Sequence, residues 1–348
     1  MKKSSLLKTI IGGLIGLSVI ILAVWFIFAD KVAKPKEWSE YVQVLKTAEE
    51  VLVPIPDGFI NLKITNKLNE GIVIQDNDGN QFVWVPIADG EFKRETFGLE
   101  STPLGYQILL VKEEDKNIKW ENISNPSLKQ TFGGIWEPDE EEYKELVSSV
   151  AKYGGFYMGR YQASYVSGNS VEDYIPAIIA STVATEERGN FEAGRLWNFV
   201  SANEAYLIAK NMYKDNKSVV SHLPYGIEWD TTLRWFINSG EKSLAQINED
   251  SSSWGNTYND TFSNTVGIAN TGKFVETSSN NIYDMAGNMF EWTREYFIDQ
   301  AINRGGNMRS YNGEPSFNLH AASRTWMTQE DNNYQHSSVG FRVALYIK

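Results

Sequence analysis

The sequence has no cysteine. Disulfides, thiolate metal sites and cysteine nucleophiles are excluded together. Histidine is scarce as well. His222, His320 and His336 are the only three, too few for a histidine-rich metal site. Basic charge is in deficit: Lys+Arg 32 against Asp+Glu 44 leaves a formal net charge of −12 and a pI near 4.9. A nucleic-acid binder needs a basic footprint, so no nucleic-acid partner is expected. Phosphate-binding loops, serine nucleophile elbows and internal repeats of 20–50 residues are also missing. What is present is globular: 348 residues, 42% hydrophobic, 13% aromatic and 22% charged. That composition excludes global disorder, and the length fits one large domain or two ordinary ones.

Only one long hydrophobic run occurs. Residues 9–29, from Thr9 to Ala29, carry no charge. At the rise of an α-helix this run is about 31 Å long, enough to cross a hydrocarbon core. Lys2, Lys3 and Lys8 precede it, and Ile27, Phe28 and Ala29 make a poor cleavage site. The preferred reading is an uncleaved transmembrane signal anchor behind a cytoplasmic tail (residues 1–8). A cleaved signal and a buried core helix are the alternatives. Lys31, Lys34 and Lys36 balance the charges across the run, so orientation rests on the very short N-terminal tail. The C-terminal bulk is then extracytoplasmic, on a single-pass protein of the cell membrane. Gly12 and Gly16 form a GxxxG, a possible homodimer face. Without Lys2, Lys3 and Lys8 the exported part holds 29 basic against 44 acidic residues, a net of −15. An acidic, cysteine-free ectodomain suits a Gram-positive-like cell surface.

Asp30 to Glu50 is charged with helical potential and reads as a stalk (residues 30–50). Strand signals begin near Val51. Gly71 to Ile74 and Gln81 to Val85 flank Asp76-Asn77-Asp78-Gly79-Asn80, which predicts a hairpin around an Asp-Gly turn. The same five residues resemble the start of a calcium loop, but no glutamate follows at the required offset. Glu113 to Glu145 holds ten acids against four lysines and reads as a solvated insertion ending in a helix. That helix starts at Glu137-Pro138-Asp139-Glu140 and stops at Gly154-Gly155. Ser201 and Glu204 form a capping box for a helix through Ala205, Ile208, Ala209 and Met212. Another helix covers Glu228 to Phe236 and stops near Gly240. The rest is rich in turns, with short aromatic strands. Few helices among many short elements predict an α+β domain (residues 51–348).

Several motifs now stand in one order. Gln81 to Pro86 is followed by Asp89 to Phe92, Phe156 to Ser164, Leu223 to Trp229, and Trp254-Gly255-Asn256. Then come Ile282-Tyr283-Asp284-Met285-Ala286-Gly287-Asn288-Met289-Phe290-Glu291-Trp292-Thr293, Arg304-Gly305-Gly306-Asn307, and Gly340-Phe341-Arg342. The series resembles the formylglycine-generating enzyme family, the sulfatase-modifying factor domain, over about residues 81–348. Long insertions at about 95–152 and 165–190 depart from it. The resemblance implies a variant C-type-lectin-like fold, low in regular structure. The family's enzymes convert a cysteine of a client sulfatase to formylglycine with a pair of cysteines after the RGG motif. Met308 to Ser316 occupies that stretch here, without cysteine. An ergothioneine-pathway branch uses iron held by three histidines, and this chain has no such cluster. No copper or iron is expected.

The resemblance also implies a structural calcium site at Asp284, Gly287, Met289 and Glu291, with a plain polar turn as the alternative. Calcium wants 6–8 oxygens, so other groups would have to complete the shell. Arg304-Gly305-Gly306 and Arg342 could suggest anion binding, but satisfying loop carbonyls is the stronger reading. Tyr283, Phe290, Trp292, Trp229 and Trp254 could stack on sugar, but core packing is preferred. His320 and His336 with Glu314 make only a weak metal candidate. Met308 to Ser338 offers Arg309, Tyr311, Asn312, His320, Arg324, Trp326 and Tyr334, the mixture of aromatic anchors and adaptable polar groups found in binding loops. The resulting expectation is a membrane-anchored extracytoplasmic binding module, non-catalytic, recognising a protein or glycan. Its rivals are an enzyme with an altered site and a structural subunit of a surface or secretion assembly.

Overall fold

The computed structural model describes residues 34–88, 90–95, 97, 135–138, 140–168, 170, 174–184, 193–257, 267–297, 300–308, 320–326 and 334–348. Its strands in chain order are β1 (Val42–Lys46), β2 (Leu52–Pro56), β3 (Ile60–Asn61), β4 (Val73–Gln75), β5 (Gln81–Pro86), β6 (Ile135–Trp136), β7 (Gly155–Gly159), β8 (Ser164–Ser167), β9 (Ile175–Ala177) and β10 (Thr182–Ala184). They continue with β11 (Arg195–Leu196), β12 (Val219–His222), β13 (Ser278–Ser279), β14 (Ile282–Tyr283), β15 (Phe290–Phe297), β16 (Gln300–Arg304), β17 (Arg324–Trp326), β18 (Val339–Gly340) and β19 (Ala344–Ile347). The α-helices are α1 (Glu141–Tyr153), α2 (Ala202–Asn211), α3 (Gly226–Asn238) and α4 (Leu244–Asn248).

Local chemistry accounts for the ends of these elements. Asp76 Oδ1 accepts from the amides of Asp78 and Asn80, and the strands on either side pair with Gln75 opposite Gln81. The expected hairpin is therefore formed. α1 runs from Glu140 to Gly154, whose φ of +77° is the left-handed stop that glycine adopts without strain. It buries Tyr143, Leu146, Val150 and Tyr153 along one stripe. At α2 the capping box is complete: Ser201 Oγ accepts from the Glu204 amide and Glu204 Oε2 from the Ser201 amide, at 3.2 and 2.7 Å. α3 is buried nearly all round, which carries its Glu228 and Asp230 into the interior.

A six-stranded sheet, ordered β12-β19-β7-β5-β4-β3, divides the hydrophobic interior. Its neighbours are all antiparallel. Phe82 and Trp84 of β5 enter one core cluster, and Val83 and Val85 the other. Leu345 and Ile347 of β19 alternate with Ala344 and Tyr346 in the same way. Burial on both faces explains why these strands read as continuous apolar runs. A five-strand sheet holds β17-β16-β15-β18, with β6 joined to the far end of β15.

One expectation changes. The stretch assigned to a helical stalk holds a strand from Val42, paired with β2. Trp38 and Val42 are buried in the core, and the Trp38 indole donates to the Lys152 carbonyl at 3.2 Å. Tertiary burial overrides the local helical preference there. The proposed anchor at residues 9–29, with Gly12 and Gly16, lies outside the described residues, as does most of the acidic insertion. Among the described residues no helix is long and apolar enough to cross a membrane.

Candidate functional site

The turn leading into β15 is built on three left-handed residues: Asp284, Gly287 and Asn288 have φ of +58°, +72° and +59°. Asn288 holds the turn from inside. Its Oδ1 accepts from Asn256 Nδ2 and the Ala269 amide, both at 2.8 Å, and its Nδ2 donates to Gln162 Oε1 at 2.7 Å. Gln162 Nε2 in turn donates to the Met289 carbonyl and to Glu291 Oε1. Asp284 Oδ2 accepts from Thr271 Oγ1 at 2.7 Å and the Gly272 amide at 3.1 Å. Burial raises the Asp284 carboxyl above its ordinary range, against these donors.

Glu291 is wholly buried and meets Arg342 face to face. Arg342 Nε lies 2.5 Å from Oε2 and Nη2 2.6 Å from Oε1. The same guanidinium donates to the carbonyls of Gly159 and Tyr283. Of the four positions expected to hold calcium, Glu291 thus has both oxygens engaged by a fixed internal cation, and the Met289 carbonyl is engaged by Gln162. A calcium ion at Asp284, Gly287, Met289 and Glu291 would therefore share Glu291 with Arg342 and the Met289 carbonyl with Gln162. The core reading of the nearby aromatics holds: Trp229, Trp254, Phe290 and Trp292 are buried.

A second charged cluster lies under β16 and β17, and no local sequence pattern marks it. Arg304 places Nη2 2.8 Å from Asp230 Oδ1 and Nη1 2.8 Å from Glu295 Oε2. Arg324 places Nε 2.8 Å from Glu295 Oε1 and Nη2 2.6 Å from Asp230 Oδ1. Arg94 reaches Asp230 Oδ2 at 3.3 Å, and also Glu295. Each arginine therefore bridges the same two carboxylates. A third acid, Glu137, touches only Arg94 of the three, at 3.4 Å. Gly226 is required beside them, since a Cβ there would collide with the Glu295 side chain. Burial works against the Glu295 carboxylate, but the three guanidiniums outweigh it and hold its pKa far below the usual range. Burial and the neighbouring Arg304 push the His320 imidazole down to about 3, so it is neutral.

The candidate binding residues of the C-terminal stretch are divided by this cluster. Arg324 and His320, read as surface groups, are buried. His320 Nδ1 lies 3.3 Å from Ser323 Oγ. Tyr334 remains half-buried and stacks on His336 with ring centroids 6.0 Å apart and planes 11° from parallel. His336 lies 2.8 Å from Ser338 Oγ, which accepts from Asn307 Nδ2. Phe199 lies beside this segment, its amide donating to the His336 carbonyl, in a left-handed conformation (φ +54°) unusual for a bulky residue. Arg309, Tyr311 and Asn312 lie outside the described residues, as does the side chain of Trp326. Among the described residues no group of three or more His, Cys, Asp or Glu is placed to hold a metal.

Residues 197–347 match the family model of the sulfatase-modifying factor enzyme 1-like domain. The matched stretch contains the Asp284–Glu291 turn, Arg304-Gly305-Gly306 and Gly340-Phe341-Arg342. It is narrower than the 81–348 implied by the order of motifs, and it is consistent with a formylglycine-generating-enzyme-like family. No curated protein matches the chain.

Proposed function

We propose that this chain is a membrane-anchored extracytoplasmic binding module whose formylglycine-generating-enzyme-like domain has no catalytic role. The observation that carries the reading is the missing cysteine pair after Arg304-Gly305-Gly306. Without a thiolate, the copper binding and oxygen activation of the parent chemistry have no ligand. Beneath that motif Arg304 is paired with Asp230 and Glu295. The uncharged run at residues 9–29 supports the anchor, and a variant C-type-lectin-like fold belongs to the same reading. The partner is a protein or a glycan, met by the Met308–Ser338 stretch.

The test is direct. The purified exported part is incubated with copper, oxygen and a peptide bearing the sulfatase motif, and the peptide is weighed. The cysteine should remain unchanged, and a mass corresponding to formylglycine would overturn the reading.

A further inference from the structure

We propose that Glu137 is a proton-operated latch: with a proton on its Oε2 it holds the junction of β6 and α1 against α3 and the arginine cluster, and on losing that proton it releases them. The carboxyl side chain is fully buried. Oε1 accepts from the Ile227 amide, in the first turn of α3, at 3.0 Å and faces Arg94 Nη1. Oε2 is buried with no hydrogen-bond partner. An ionised carboxylate with one idle buried oxygen is costly, and a neutral carboxyl is much less so.

The neighbours make Glu137 the odd acid of the cluster. Arg94, Arg304 and Arg324 each contact both Asp230 of α3 and Glu295 of β15. Glu137 shares only Arg94. Asp230 and Glu295 also repel its charge, and Tyr143 of α1 faces it without adding a positive charge. Burial, with this repulsion, raises its pKa to about 7 against the pull of Arg94 and the Ile227 amide.

The sign follows from linkage. When the junction opens, the carboxyl meets water and returns to its ordinary value of about 4.5. Protonation therefore favours the closed state. The hold is complete below that ordinary value and is lost as pH rises through about 7. Arg94 lies just before the insertion at about 95–152 and Glu137 within its last part, so one proton governs how firmly these two points are seated. Glu95 adds to the same seat, its amide donating to Asp230 Oδ2 at 2.9 Å. None of this depends on what the domain binds.

Hydrogen exchange on the full chain in detergent, read at the Ile227 amide and corrected for the intrinsic rate, tests the latch. From about pH 5.5 to about pH 8.5 the opening equilibrium should rise roughly 30-fold. In Glu137→Gln, which cannot ionise, it should stay low and flat. A flat wild-type profile, or the same rise in Glu137→Gln, overturns the proposal. If that variant fails to fold, a carboxyl-carbon NMR titration of Glu137 in the wild type decides. A midpoint near 7 supports the latch, and one near 4.5 overturns it.

Discussion

Arg342–Glu291 and the Arg94/Arg304/Arg324 cluster bury charge in opposite ways. The first is one cation for one anion, both carboxylate oxygens met, with the spare guanidinium donors given to the carbonyls of Gly159 and Tyr283. The second is shared. Two carboxylates are each bridged by three arginines, and a third acid is left at the rim with an idle oxygen. A matched pair fails as a unit, because removing one partner strands the other. A shared cluster tolerates the loss of one member, but it distributes strain, and at Glu137 that strain makes it responsive to pH.

Substitution should expose the contrast. Arg342→Met leaves Glu291 buried and unpaired, so it should cost about 3–5 kcal/mol in urea unfolding. Arg94→Met leaves Asp230 and Glu295 with two guanidiniums each and leaves Glu137 to bury as the neutral acid, so it should cost less, about 1–3 kcal/mol. Equal costs would mean that the cluster does not share its load. Acid separates the members of the cluster itself. Glu295 is held far below the usual carboxylate range, so its stabilising effect is present above that range and is lost only as pH falls through its lowered value, in strong acid. Between about pH 4 and pH 7 two buried groups oppose each other: the raised Glu137 pKa favours the folded state as pH falls, and the neutral His320 imidazole disfavours it. Glu137→Gln removes the favourable part, so its melting temperature should fall more steeply with acid than that of the wild type, and identical pH profiles would contradict the assignment. A smaller effect calibrates these. Ser201→Ala removes a neutral helix cap and should cost about 1 kcal/mol.

What the sequence made legible was local. The Asp76–Asn80 turn, the Ser201/Glu204 box and the Gly154 stop each depend on contacts a few residues apart, and each is formed. The Arg304 and Arg342 loops were readable as structural because glycine and arginine together suit close backbone packing. The shared cluster was not legible. Arg94 meets Asp230 across 136 positions and Glu295 across 201, and no local periodicity marks such pairings. Arg324 and His320 were placed on a surface because a polar, turn-rich stretch resembles a solvated loop. The partners that take Arg324 inside, Asp230 and Glu295, lie on α3 and β15. The strand at Val42–Lys46 was hidden for the same reason, since it is held by pairing with β2 and by the burial of Val42 in the core.

Arginines of the domain itself close the buried carboxylates Asp230, Glu295 and Glu291, and the expected consequence is a turn that folds without a metal. Elemental analysis of the purified exported part, paired with melting curves with and without a chelator, tests it most directly. No stoichiometric calcium, copper or iron is expected, and the curves should superimpose. One calcium per chain, with a melting temperature that falls on chelation, would contradict it and return Asp284 and Glu291 to the role of ligands.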